Sequence, residues 1–317
     1  MKRTMSAVAL LSASFALLSA AEAQTCDRDC LIKLVDDYVA ALVAHDPGKM
    51  QLSPNVVTVE NTKRIKPGEG LWQTASAPPD SFVIHVPDPV AQQVGYLAVM
   101  TESQDGKQAP IEVGLRLKVE GGQITEAEHL VVRNLRETSL ANLKTPRKPL
   151  VSPVEEAYRD SRSRLLFIGA SYYDALDENN GALAPFADDC VRFENGLQTV
   201  RNPVARDPSQ GFGLAGSLGC EAQLNTNTFE YITHIDHRRV FIADEVNGLA
   251  LGFSQFRHAF EKHEFRVFGI PGQTTRKMDN QPFDLPAMHI FKIWGGKLHE
   301  IEAIGIVEPY MSPTGWE

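Results

Sequence analysis

No stretch of this sequence gathers lysine or arginine into a run, and acidic residues outnumber basic ones, 40 to 31, for a formal net charge of −9. That balance excludes nucleic acid and anionic membrane surfaces as natural partners. No C-x-x-C or H-x-x-x-H spacing occurs, so no structural zinc site is expected. No G-x-G-x-x-G follows a strand, and no G-x-S-x-G elbow is present. Neither a nucleotide cofactor nor a hydrolase triad is therefore expected. The longest apolar run, Ala7 to Leu18, falls short of the roughly twenty residues a membrane anchor needs.

That run lies between Met1-Lys2-Arg3 and Ala21-Glu22-Ala23, the order of a secretory signal peptide with cleavage after Ala23. The expected product is periplasmic or secreted, with no membrane attachment after cleavage. Only four cysteines are present, and in an exported chain they favour disulfides over thiol or metal chemistry. Of the three pairings, Cys190 with Cys220 would close a long insertion, and Cys26 with Cys30 would sit at the start of a helix. The second pair lies near the limit of disulfide reach for helical i,i+4 positions.

What the chain does have is an echo of itself. A constant offset of 134 separates Tyr38 from Tyr172, Leu42 from Leu176, and Glu60-Asn61 from Glu194-Asn195. A second echo, offset by 174, relates Lys118–Glu128 to Lys292–Glu302 through a shared Gly-Gly hairpin. A helix, a strand and a closing hairpin thus occur twice, which reads as two copies of one domain. The expected division is a signal peptide at 1–23, a first domain at 24–137, a proline-bearing linker at 138–153 and a second domain at 154–317.

Helical periodicity runs through Leu31, Leu34, Val35, Tyr38 and Leu42, and a proline and a glycine follow it at Pro47-Gly48. The second copy opens with a helix over 154–178. Its expected strands are 190–194, 228–236, 239–243, 249–258, 286–293 and 298–307. The stretches 200–227 and 261–285 read as long insertions, which are functional or unstructured in most domains.

This order resembles the NTF2-like, or SnoaL-like, fold: an α+β cone in which helices close one side of a curved antiparallel sheet. The second copy is similar to an uncharacterised exported bacterial and fungal branch of that superfamily (DUF8021-like). The resemblance rests on Phe193-Glu194-Asn195-Gly196, Arg238-Arg239, Asp244-Glu245, Phe256-Arg257-His258 and Pro309-Tyr310 with Gly315-Trp316. It implies two tandem cones paired face to face as an intramolecular pseudo-dimer, and leaves higher oligomers open. Relatives include cofactor-free isomerases, dehydratases, cyclases and lyases alongside plain binding modules, so fold alone does not choose a chemistry.

The candidate site is the second cone. Glu194, at a strand end, would move a proton if its carboxylate lay in an apolar pocket; alternatively Glu194 and Asn195 shape a turn. His258 ends an alternating run in which every second residue faces the cavity, as general base or rim histidine. Arg239 and Asp244 could steady developing oxygen charge, or belong to a solvated sheet face. Tyr173, rather than Tyr172, is assigned to the pocket, because adjacent helical residues do not share a face. Asn195, His234 and Phe256 would contact ligand. A metal at His234, His237 and His258 lacks any supporting carboxylate spacing, and no cofactor is expected. Glu128 and Glu302 would face solvent or pair with Lys118 and Lys292. The expected activity is a cofactor-free lyase, dehydratase or isomerase acting on a small apolar or aromatic molecule. The alternative is a periplasmic ligand-binding or scaffolding protein without turnover.

Overall fold

The computed structural model describes residues 25–204 and 213–317, with backbone only at 213 and 214. The signal-peptide reading at 1–23 lies outside the described residues. In chain order the elements begin with α1 (Arg28–Val43), β1 (Leu52–Glu60), β2 (Lys63–Ile65), α2 (Leu71–Thr74), β3 (Ala75–Ala77) and β4 (Val83–Asp88). The long strands β5 (Gln93–Gln104), β6 (Lys107–Glu120) and β7 (Gln123–Val132) follow, then the short helices α3 (Glu137–Asn142) and α4 (Lys148–Val151). The second set is α5 (Arg162–Asp177), β8 (Phe186–Glu194), β9 (Leu197–Gln198), α6 (Cys220–Leu224), β10 (His234–Asp244) and β11 (Leu249–His258). It closes with β12 (Glu264–Ile270), β13 (Gln273–Lys277), β14 (Phe283–Trp294), β15 (Lys297–Gly305) and β16 (Glu308–Pro309).

Two seven-stranded sheets result, ordered β2-β1-β7-β6-β5-β3 with β4 on β5, and β10-β11-β14-β15-β8-β9 with β16 on β14. The expected antiparallel sheet is mixed instead. β1 runs parallel to β7, and β8 runs parallel to β15. In each case the parallel partners lie at opposite ends of a long excursion through the other strands, which a crossover requires. The helix ending at Glu178 starts only at Arg162. Residues 228–233, whose alternation suggests a strand, form a turn with Asn227 at positive φ. The expected insertion at 261–285 contains the β12–β13 hairpin.

Helix α1 begins where the Asp27 carboxylate accepts the Cys30 amide at 2.9 Å, satisfying a free helix N–H. Its apolar stripe of Leu31, Val35, Tyr38 and Leu42 is fully buried. Both disulfides form, Cys26–Cys30 and Cys190–Cys220. Among the described residues no helix is long and apolar enough to cross a membrane.

Strand alternation sends each sheet in two directions. On β5, Val94, Tyr96 and Ala98 pack on α1, while Leu97 joins the layer between the sheets. On β14, Ala287 and Phe291 pack beneath α5, whereas Met288 and Ile290 face the other sheet. β11 is buried along its whole length, because both its faces are covered. The sheets approach closely at Gly114, where a Cβ would lie 2.6 Å from Met288 Cε and 2.7 Å from Ile304 Cδ1.

Polar groups are buried in that layer too, which corrects the solvent-facing reading of Glu128 and Glu302. Glu128 accepts from Arg116 Nε at 3.0 Å, from Arg239 Nη1 at 3.0 Å and from Trp316 Nε1 at 3.0 Å. Glu302 pairs with Arg147 Nη1 at 2.8 Å. Both sit on the outward face of their strands, opposite the cone, so docking of the sheets removes them from water.

Candidate functional site

Beneath α5 the second sheet encloses a cavity of about 250 Å³. Tyr172 and Leu176 roof it from α5, Phe256 and His258 enter from β11, and Ala287 and His289 from β14. Glu194 and Asn195 stand at the end of β8, and Ala303 and Gly305 floor it from β15. The turn 228–233 supplies Phe229, Tyr231 and Ile232. Most of this wall is aromatic or aliphatic.

The cavity exists because of one echo position. In the first sheet Glu60 lies opposite His129, whereas in the second Glu194 lies opposite Ala303. His129 is buried, its Nε2 2.8 Å from the Tyr38 hydroxyl and its Nδ1 3.2 Å from Glu60 Oε2. Tyr38 also packs edge-on against Trp72 at 5.1 Å. Alanine at 303 leaves open the space that the His129 imidazole takes in the first copy.

His258 is 4 % exposed, stacked on Phe283 at 4.3 Å, with its Nδ1 buried and unpartnered. Burial pulls its pKa down to about 4. His289 is packed among Tyr172, Tyr173 and Phe256, and its Nδ1 lies 3.1 Å from the Tyr173 hydroxyl. Burial, with the Arg192 cation nearby, lowers its pKa to about 3. Both imidazoles are therefore neutral at ordinary pH.

Glu194 is not an isolated carboxylate in an apolar pocket. Its Oε1 lies 2.9 Å from Arg192 Nε, and its side chain is 37 % exposed. Arg192 is fully buried and also donates to Thr199 Oγ1 at 2.9 Å, Gln223 Oε1 at 2.6 Å and the Tyr172 hydroxyl at 3.4 Å. Burial, partly offset by that arginine, raises the Tyr172 phenol to about 12, so it stays protonated.

Asn195 holds the wall. At φ 47° its amide exchanges two hydrogen bonds with the Gly305 backbone, at 3.0 and 2.8 Å. Asn61 does the same with Val131 at 3.1 and 2.8 Å. The repeated Glu-Asn pair is thus explained by strand termination at both asparagines, while the two glutamates differ in their surroundings.

Four expected site residues lie outside the cavity. Strand alternation puts the neighbouring arginines on opposite faces, and a bulge at His237, with φ 47° and a register shift between Asp236 and Arg239, sets which face each takes. Arg238 reaches Asp174 and Asp177 on α5, while Arg239 turns to Glu128 of the first sheet. Asp244 is buried at the same junction, 2.8 Å from Arg28 Nη2. His234 is about half exposed at the end of edge strand β10, 3.4 Å from Asp236. Tyr173 is as buried as Tyr172, against the one-face expectation, because the curved sheet wraps α5 widely enough to cover adjacent positions. Its hydroxyl meets His289 behind the wall, and Tyr172 takes the lining position.

Sequence reasoning passed over His289 and Arg192. The signal for His289 was present: at offset 174 it replaces Leu115, a polar residue at an apolar echo position. Nothing in the sequence marks Arg192, since its four partners come from four separate segments.

Residues 158–305 match the family model described as "Domain of unknown function (DUF8021)". The matched span contains Phe193-Glu194-Asn195-Gly196 and Phe256-Arg257-His258. No curated protein matches. Solved structures that align include AclR from Streptomyces galilaeus, at 15 % identity, covering 38 % of this chain and 89 % of that one, TM-score 0.28. A protein with a ketosteroid isomerase-like fold from Catenulispora acidiphila aligns at 15 % identity over 36 % and 94 %, TM-score 0.25. The hexachlorocyclohexane dehydrochlorinase LinA-type3 from Novosphingobium barchaimii aligns at 10 % identity over 49 % and 90 %, TM-score 0.26.

Proposed function

We propose that the second cone binds a small, largely apolar or aromatic molecule and catalyses a proton transfer on it without a cofactor, as a lyase, dehydratase or isomerase. The observation that carries this reading is the pair of neutral imidazoles, His258 and His289, in the wall of one largely aromatic and aliphatic cavity. A neutral imidazole accepts a proton from a carbon beside a carbonyl. Buried, it returns that proton readily, because its charged form is poorly solvated. The Tyr172 hydroxyl, backed by Arg192, donates to the developing oxyanion. The imidazolium then delivers its proton to a second carbon or to a departing group, and the imidazole is neutral again. Glu194, held by Arg192 at the rim, orients the polar end of the substrate.

In this reading residues 24–137 and 154–317 are tandem cones joined by 138–153 and packed as a pseudo-dimer. The first is a filled, supporting copy. Two disulfides and the acidic surface support an exported protein.

A second reading, a carrier or scaffold without turnover, draws on Glu194, Arg239 and Asp244 all being ion-paired within the chain. The two separate in deuterated water with 2-tetralone, a ketone with acidic α-hydrogens that fits about 250 Å³. Protein-dependent α-deuteration, followed by NMR and lost in both His258→Ala and His289→Phe, is the expected result. A raised melting temperature without deuteration supports the carrier, and neither effect for this or other small apolar ketones removes the enzyme reading.

A further inference from the structure

The cone cavity does not end at its own wall. Glu194 and Asn195 line it and also line a second, larger cavity of about 660 Å³. The two spaces therefore share a stretch of wall at the end of β8. The walls of the larger one come from both repeats. Arg133, Arg136, Thr138 and Asn142 follow β7 and run into α3, while Gln198 and Asn202 lie on and beyond β9. Where the cone is aromatic, this groove is amide- and arginine-rich.

Its charges are almost all spoken for. Arg133 donates from Nε and Nη2 to the two Glu102 oxygens, each at 2.7 Å. Glu194 is held by Arg192 at 2.9 Å. The amides hold backbone: Asn142 donates to Gly196 O at 2.9 Å, Gln198 to Val200 O at 3.0 Å and Asn202 to Gln198 O at 2.8 Å. Arg136 differs. It is exposed on the groove wall, and its guanidinium makes no hydrogen bond or ion pair among the described residues. The groove thus has fixed walls and one uncommitted positive charge.

We propose that the ligand is an amphipathic carboxylic acid, or another anion-tailed apolar molecule, whose apolar end fills the cone and whose anionic end lies in the groove against Arg136. This rests on the cone being the binding site, and it adds the chemical class of what binds. The groove is more than twice the volume of the cone and shares Glu194 and Asn195 with it, so a ligand that reaches past Glu194 would enter it. Five donors in a planar fork suit Arg136 to a carboxylate. Pairing of Glu194 with Arg192 removes the repulsion an anion would otherwise meet at the junction. Because the groove is walled by residues of both repeats, the first copy contributes to binding although its own cone is filled.

The test is calorimetric titration of the full chain with naphthalene bearing alkanoic-acid tails of two to six carbons, each beside its methyl ester. In the wild type the acid should bind about three- to ten-fold tighter than its ester at the best tail length, with the advantage shrinking in high salt. Arg136→Gln should remove that advantage and leave the ester unchanged. Ala303→Phe, which fills the cone as His129 does in the first copy, should abolish binding of both. Equal affinity of acid and ester in the wild type overturns the inference while leaving the cone reading intact, as does equal weakening of both by Arg136→Gln. Binding that survives Ala303→Phe, or no binding anywhere in the series, overturns the cone reading and this inference with it.

Discussion

The layer between the sheets holds a carboxyl group with nowhere to put a charge. Glu112 on β6 is fully buried, and neither of its oxygens has a partner. Burial, and then the nearby Glu302 carboxylate, raise its pKa well above the ordinary value of 4.5. Glu302 is countered by Arg147 at 2.8 Å, and Arg116, four residues along β6 from Glu112, is engaged by Glu126 and Glu128. Among the described residues no cation remains for Glu112, so folding keeps it protonated. Its contribution to stability is then fully present below about pH 4.5. As pH rises toward the folded pKa, only the unfolded chain releases the proton, and stability falls by about 1.4 kcal/mol per pH unit. The loss continues at that slope for as long as the pH stays below the folded pKa. Glu112→Gln keeps the shape and cannot ionise. Urea unfolding at half-unit pH steps should show variant and wild type alike near pH 5, with the variant increasingly more stable toward pH 7. With a slope of about 2 kcal/mol per molar urea, the midpoints would part by about 0.7 M for each pH unit below the folded pKa. His258 and His289 titrate in both proteins, so they cancel from the difference. Parallel curves, or a variant less stable at pH 7, would show that Glu112 is ionised and satisfied in the fold, and the account of this layer would fail.

The histidines act with the opposite sign. Their folded pKa values, about 4 and about 3, lie below the unfolded value of 6.5, so they add stability that is lost on acidification below pH 6.5, by about 1.4 kcal/mol per unit for each. His258→Phe should flatten that limb in acid unfolding, and ligand binding should show no step near pH 6.5. Replacing Cys190 and Cys220 together by serine opens a loop with a separation of 30 residues, for an expected loss of about 3.5 kcal/mol by chain entropy, read from urea midpoints. Trp316→Ala gives up the bond to Glu128 and the stacking on Arg116, 4.8 Å from the ring. A loss of about 2–3 kcal/mol is expected, with Trp316→Phe recovering the stacking share alone; an unchanged melting temperature in Trp316→Ala would show that this contact is not stabilising.

Much of the fold could be read in advance because it is local or repeated. The stripe of α1, the hairpin glycines and the two offsets are regularities of sequence distance, and the backbone obeys sequence distance within an element. The cavity-facing alternation of Phe256 and His258 was legible for the same reason. Faces beyond a single strand were not. Whether Arg239 looks into the cone or across to Glu128 depends on one bulge at His237, and periodicity carries no mark of where a strand slips. That Tyr172 and Tyr173 are both buried depends on how far the sheet curves around α5. Arg192 gained its role from Tyr172 and Gln223, 20 and 31 residues away, as well as from nearby Glu194 and Thr199, and no spacing rule joins the distant pair to it. The sequence by itself determined the recurrence at offsets 134 and 174, and where the strands that carry the two Glu-Asn pairs end. Tertiary packing alone decided that the second sheet closes on a cavity at Ala303 where the first packs His129 against Tyr38: an alanine or a histidine leaves or takes volume only once the sheet has curved around it.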